Sequence, residues 1–305
     1  MATRQPIRYW NRGESREEVE KVYGGGALRW LYETRTGRWL TDALLTRPWV
    51  SKLVGLYQST SWSRRRVPSF IEEFEIPMEE FEVTTYRSFN DFFIRRFRPE
   101  ARDFCAAPEE FPAVAEGRFL AYRELDADQA YPVKGAELTP SRLLAGAALA
   151  EAFVGGPLLI ARLCPTDYHR FHYPDSGRTL EGYRIPGRLH SVNPAALRFK
   201  GDILVSNERQ VSILETENFG RLAFVEVGAM NVGRIVPTHP SHQPFLRGGE
   251  KGYFLFGGSA VLLLGEPGRW RPDADLLERT ERGQETFVRL GERIGLASSP
   301  LKTDL

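Results

Sequence analysis

The chain of 305 residues sets 41 Lys and Arg against 40 Asp and Glu, a formal net charge of +1. A balance this close excludes the broad basic field that holds nucleic acid, and the length allows one large or two modest hydrophobic cores. No apolar run reaches the roughly eighteen residues of a membrane-spanning helix, and the opening Met-Ala-Thr-Arg-Gln-Pro has no signal-peptide core, so a cytoplasmic protein is expected. Cys105 and Cys164 are the only cysteines; in that compartment they read as reduced thiols, and without a histidine cluster beside them they give no metal site.

The first hundred residues read as short helices with aromatic faces. Pro48 opens one, with Trp49, Leu53 and Tyr57 following at helical spacing. Ser69 followed by Glu72 has the form of a capping box, and Ser88 with Asp91 starts a second helix that Pro99 ends beyond Phe97. This region interleaves its aromatic residues with Arg64, Arg65, Arg66, Arg95, Arg96 and Arg98. Two readings fit: docking on an anionic bilayer, or a solvated basic face over an aromatic core.

From about residue 111 short β-rich runs take over: Phe119–Tyr122, Pro157–Ile160, Val211–Leu214 and Ala223–Val227, separated by Gly, Pro and Asn turns. A helical insert over 141–153 starts at Thr139-Pro140, and residues 273–294 read as a charged helix followed by a strand. Strands do not alternate with long helices, so the expected class is α+β. A helical region over 1–105, the candidate membrane-facing part, precedes a β-rich, mainly antiparallel catalytic domain over 106–305.

The chemistry concentrates at Gly252-Tyr253-Phe254-Leu255-Phe256-Gly257-Gly258-Ser259-Ala260, which runs into Val261-Leu262-Leu263-Leu264. Two glycines let the backbone bend sharply and leave the Gly258 carbonyl unshielded, so the Ser259 hydroxyl can attack its own chain. Such an attack needs a base and a group to orient that base. The richest supplier is Pro165-Thr166-Asp167-Tyr168-His169-Arg170-Phe171-His172. Two histidines three apart share no face of an ideal strand, but line one pocket where the segment bends. His190, His239 and His242 stand outside this block and read as structural.

The octapeptide resembles the Asp-Tyr-His-Arg-x-His block of the phosphatidylserine decarboxylase family, and Gly257-Gly258-Ser259 resembles its processing site. Phe89-Asn90-Asp91-Phe92-Phe93 with Arg95-Arg96, Gly187–Pro194, Asn218-Phe219-Gly220, Val225–Gly233 and Lys251-Gly252-Tyr253 resemble further family blocks, in the family's order. The resemblance implies that Ser259 attacks the Gly258 carbonyl to give an ester. Elimination would release the chain ending at Gly258, and hydrolysis would leave a covalent pyruvoyl group at residue 259. That group is the electron sink a decarboxylation needs, so no external cofactor and no metal are implied. It further implies that His172 activates the serine and that His169 stands near the decarboxylation step. Glu116 then orients the base from a position where the family carries aspartate; otherwise it is a solvated turn residue. Ala260 stands where the family has threonine. The implied activity is conversion of phosphatidylserine to phosphatidylethanolamine by a peripheral enzyme on the cytoplasmic side of the membrane. Its two chains stay associated, in a homodimer. Decarboxylation of a free aromatic amino acid, or lipid binding by an unprocessed chain, are the alternatives.

Overall fold

The computed structural model describes residues 6–125, 138–230 and 234–298. The chain opens with a hairpin, β1 (Arg8–Asn11) and β2 (Arg16–Val19), and then turns helical: α1 (Gly25–Glu33), α2 (Arg35–Leu40), a π-helical turn over Thr41–Leu45, and α3 (Pro48–Gln58). A 3₁₀ turn over Ser63–Arg66 leads into α4 (Val67–Phe74), and α5 (Phe89–Phe93) follows. The second part holds β3 (Glu110–Pro112), β4 (Gly117–Tyr122), α6 (Pro140–Leu144), α7 (Ala147–Glu151), β5 (Leu158–Leu163), β6 (Arg170–His172) and β7 (Gly177–Ile185). After α8 (Pro194–Phe199) and α9 (Ile203–Ser206) come β8 (Arg209–Thr216), β9 (Gly220–Gly228), β10 (Ile235–Pro237), β11 (Glu250–Phe254) and β12 (Ser259–Gly265). β13 (Trp270–Pro272), α10 (Ala274–Glu281), β14 (Glu285–Val288) and β15 (Arg293–Ala297) complete it.

Nine strands form one sheet in the order β2-β1-β14-β4-β5-β12-β9-β8-β7, and β10-β11-β6 and β13-β15-β3 form two small ones. Within the large sheet only the β1–β14 pair is parallel. The protein is α+β, with a helical N-terminal region and a mainly antiparallel β-rich part. All seven residues of β12 are buried between β5 and β9. A strand covered on both faces reads as a continuous apolar run rather than an alternation, as Val261–Leu264 does. A second apolar cluster joins the helices to this sheet: Phe70, Phe89, Phe92 and Phe93 pack with Tyr168 and Phe256.

Several local expectations change. The hairpin β1–β2 departs from the all-helical reading of the first hundred residues. Its residues are mostly polar or charged and pair across strands, as Arg8 with Glu17 and Tyr9 with Glu18, so they carry no apolar alternation to read. Ser69 is not an N-cap: α4 starts at Val67 with Pro68 in its first turn, and the Ser69 hydroxyl donates to Arg66 O. Ser88 does cap α5, accepting from Asp91 N at 3.1 Å, but the helix stops at Phe93, where Arg95 turns inward. The insert over 141–153 splits into α6 and α7 where Ala145 adopts φ 53°. In the Val225–Gly233 block, Asn231, Val232 and Gly233 lie outside the described residues.

The helix α3 is inverted relative to an ordinary amphipathic helix. Its buried residues are Ser51, Gly55 and Gln58, while Trp49, Leu53, Leu56 and Tyr57 are 51–67% exposed. Trp30, Trp39 and Trp62 are exposed nearby in the sequence. The aromatic residues of the region thus divide: Phe70, Phe89, Phe92 and Phe93 form a core, while Trp30, Trp39, Trp49, Tyr57 and Trp62 lie on the surface.

Candidate functional site

Gly257 has φ 141°, a conformation that favours glycine, and delivers the chain through Gly258 into β12. Ser259 opens that strand, paired with Leu163 on β5 and Gly228 on β9, and is fully buried. Ser259 is therefore fixed by ladders on both sides, and freedom is confined to the two glycines before it.

The histidine that faces Ser259 comes from the turn between β5 and β6. Asp167 closes that turn: its carboxylate accepts from Cys164 N at 2.6 Å, and its N–H donates to Cys164 O at 2.9 Å. Arg118 grips the same carboxylate, and Arg95 donates to Thr166 O at 2.8 Å and Asp167 O at 3.2 Å. These bonds present His169 to the sheet. Its ring stacks on Phe93 at 3.8 Å, and Phe254 N donates to its carbonyl at 2.9 Å. Nε2 lies 2.9 Å from Cys164 O, and a carbonyl only accepts, so Nε2 carries the proton. The lone pair of Nδ1 then faces Ser259 Oγ at 3.4 Å. Burial, aided by the Arg95 guanidinium, pushes the His169 pKa down to about 3, so the ring is neutral at physiological pH.

His172 is placed differently. Its Nδ1–H donates to Gly248 O at 2.8 Å, and Nε2 accepts from Tyr168 OH at 3.2 Å. Both ring nitrogens are thus engaged away from Ser259, and burial lowers its pKa too. The segment does not bend enough to line up both histidines: from Arg170 it is strand β6. Glu116 touches neither ring. Its two oxygens take the Arg102 fork, at 2.6 Å from Nε and 2.9 Å from Nη2, and one also accepts from Leu290 N at 3.1 Å. The structure therefore joins Ser259 to His169 and places His172 and Glu116 in contacts of their own. The group that orients His169 is a backbone carbonyl.

Beside the Gly258–Ser259 bond lies a cavity of about 90 Å³, lined among others by Glu20, Cys164, Asn193, Phe256 and Gly258. Its polar wall is a buried charge lattice. Glu20 pairs with Arg162 at 2.6 Å, and Arg162 also reaches Glu285. Burial opposes the Glu20 charge, but Arg162 and Arg118 outweigh it and hold the carboxyl down to about 2. Sequence reasoning singled out none of Phe93, Arg118, Asp167 or Glu20. Asp167 lies inside the histidine block and Phe93 inside the Phe-Asn-Asp-Phe-Phe block, so both stood in recognised motifs without a role.

The profile of the phosphatidylserine decarboxylase family matches residues 89–296, which include Ser259, both histidines and α5. The phosphatidylserine decarboxylase proenzyme of Desulfitobacterium hafniense strain Y51 is 38% identical over 292 residues, covering 95% of this chain and 98% of that protein. The protein of the same name from Ruminiclostridium cellulolyticum is 39% identical over 291 residues, covering 95% and 97%. That from Clostridium novyi is 37% identical, covering 95% and 99%. With these relatives spanning nearly its whole length around the Gly258–Ser259 step, the chain belongs to the phosphatidylserine decarboxylase family.

Proposed function

We propose that the chain is a self-processing proenzyme that decarboxylates phosphatidylserine to phosphatidylethanolamine at an anionic membrane surface. One observation carries this reading: a serine hydroxyl directly after Gly-Gly lies 3.4 Å from the lone-pair nitrogen of a neutral histidine. His169 Nδ1 takes the Ser259 proton as Oγ attacks the Gly258 carbonyl, and the peptide bond becomes an ester. The residues fit a covalent pyruvoyl group, because Ser259 itself supplies its atoms and the small cavity beside Gly258 leaves space for the rearrangement. That group, once formed, supplies the electron sink for loss of the substrate carboxylate. His169 borders residue 259 in either form, so the same ring holds the proton that the decarboxylated carbon must receive.

The inverted face of α3 supports the membrane half of the proposal. Trp49, Leu53, Leu56 and Tyr57 are exposed, with exposed Lys52, Arg64 and Arg65 close by in the chain. Among the described residues no helix is long and apolar enough to cross a membrane; the attachment we propose is peripheral, on the cytoplasmic side. Mass spectrometry of the purified protein tests the core of the proposal. Two fragments dividing at Gly258–Ser259 are expected, with Ser259→Ala remaining one chain without activity. A single chain with unmodified Ser259 in the wild type would sink it.

A further inference from the structure

The residues Phe256 to Ser259 form a short bridge. Its downstream end is fixed by the β12 ladders, and its middle is Gly257-Gly258, the most mobile pair the backbone allows. Freedom is useful at the attacked carbonyl only if the upstream end is also fixed. Leu255 N donates to Arg234 O at 3.0 Å, and at the next residue the backbone N–H is held by a side chain. Asn90, 4% exposed, accepts from Phe256 N at 2.8 Å through Oδ1. Its Nδ2 donates to Gly55 O at 3.2 Å and to Ser59 Oγ at 2.9 Å. The amide orientation is forced: turned over, it would set its NH₂ against the Phe256 N–H and its oxygen against the Gly55 carbonyl. Three residues further on, in the same short helix, Phe93 stacks on His169.

We infer that Asn90 is a positioning residue for the cleavage, fixing the upstream end of the scissile Gly257–Gly258–Ser259 unit while Phe93 fixes the base from the same helix. The inference rests on the self-processing reading and adds to it a residue that touches neither the hydroxyl nor the attacked carbonyl. Its second arm lands on α3, so the helix with the exposed apolar face and the scissile bond share one buried amide. Releasing the Phe256 N–H removes the side-chain hydrogen bond on the backbone directly before Gly257, leaving that residue held by its ring against Phe89 and Phe93. A displacement of about 1 Å at a reacting centre costs on the order of a hundredfold in rate.

The test separates positioning from folding by using two substitutions that rank oppositely. Asn90→Ala removes the acceptor for Phe256 N. Asn90→Asp keeps that acceptor but turns an oxygen toward the Gly55 carbonyl, so it is at least as destabilising. Cleavage is followed as a time course after cell-free synthesis, and thermal unfolding is measured on each substitution combined with Ser259→Ala, so that all chains are intact. Asn90→Ala is expected to slow cleavage about a hundredfold and Asn90→Asp to restore it to within about fivefold of wild type, with no matching recovery of stability. An Asn90→Asp chain as slow as Asn90→Ala would make the residue structural only, and fast cleavage in Asn90→Ala would also overturn the inference. In both cases a normally cleaving wild type would leave the self-processing reading intact. A wild type that never cleaves would overturn both.

Discussion

At Ser259 the hydroxyl faces a ring that burial and the Arg95 guanidinium keep in its neutral form, with a pKa pushed down to about 3. A base with the ordinary histidine value near 6.5 loses its lone pair as pH falls through that value; His169 does not. Cleavage measured from pH 8 to 5.5 should therefore show no inflection near 6.5, and His169→Ala should abolish it while His172→Ala leaves it. Rapid cleavage by His169→Ala would return the base role to His172, the residue that family resemblance favours, and an inflection near 6.5 would show that the base is not a histidine held neutral by burial. Stability should behave oppositely. His169, His172 and His190 all have folded pKa values lowered first by burial, so the unfolded chain takes up protons before the folded one as pH drops. Their stabilising contribution is complete above about 6.5 and falls below it, by roughly 1.4 kcal/mol per pH unit for each of His169 and His190, with His172 adding in the same direction. The Ser259→Ala chain should accordingly melt lower at pH 5.5 than at pH 7.5.

Among the elements, α3 presents Trp49, Leu53 and Leu56 to solvent and turns Ser51, Gly55 and Gln58 inward. Replacing those three outward residues with Gln should leave the melting temperature nearly unchanged, since none is in the core. Membrane burial of about 1.5 kcal/mol for each leucine-sized side chain should then be lost, weakening binding to anionic vesicles by roughly a hundredfold or more. Equal sedimentation of wild type and variant with such vesicles would remove α3 from the docking surface. This helix also shows how far a sequence can be read. Its start at Pro48 and its period were legible, but which face turns inward depends on what packs there, and the Asn90 amide takes Gly55 and Ser59. The β12 run and Ser259 were legible because an apolar strand after Gly-Gly is a local pattern. The partnership of Ser259 with His169 was not, because it depends on how far the segment bends and on which carbonyl captures Nε2.

For the molecule as a whole, the proposed cut at Gly258–Ser259 decides what becomes of the pieces. The bond lies at the first residue of β12 and not within it, so the strand's register with β5 and β9 does not depend on the severed link. The segment that begins at Ser259 also supplies β14, which lies between β1 and β4, and β13 and β15 of a small sheet. Two of its strands are thus interior to the large sheet, with neighbours from the upstream segment on both sides. Leu262, Leu263 and Leu264 bury their side chains in the shared core. Withdrawing such a segment would expose five rows of main-chain hydrogen bonds, four in the large sheet and that of β15 with β3, and much of that core together, so dissociation amounts to global unfolding. The cleaved fragments should co-elute in native gel filtration and separate only at the denaturant concentration where the sheet's circular-dichroism signal is lost. Leu263→Ala, which opens a cavity at the interface of the two pieces, should lower the unfolding free energy by about 3 kcal/mol, and the midpoint with it, while leaving the site of cleavage unchanged. A small fragment that elutes by itself from a still-folded large one would show that the ladders beside β12 do not hold the pieces together.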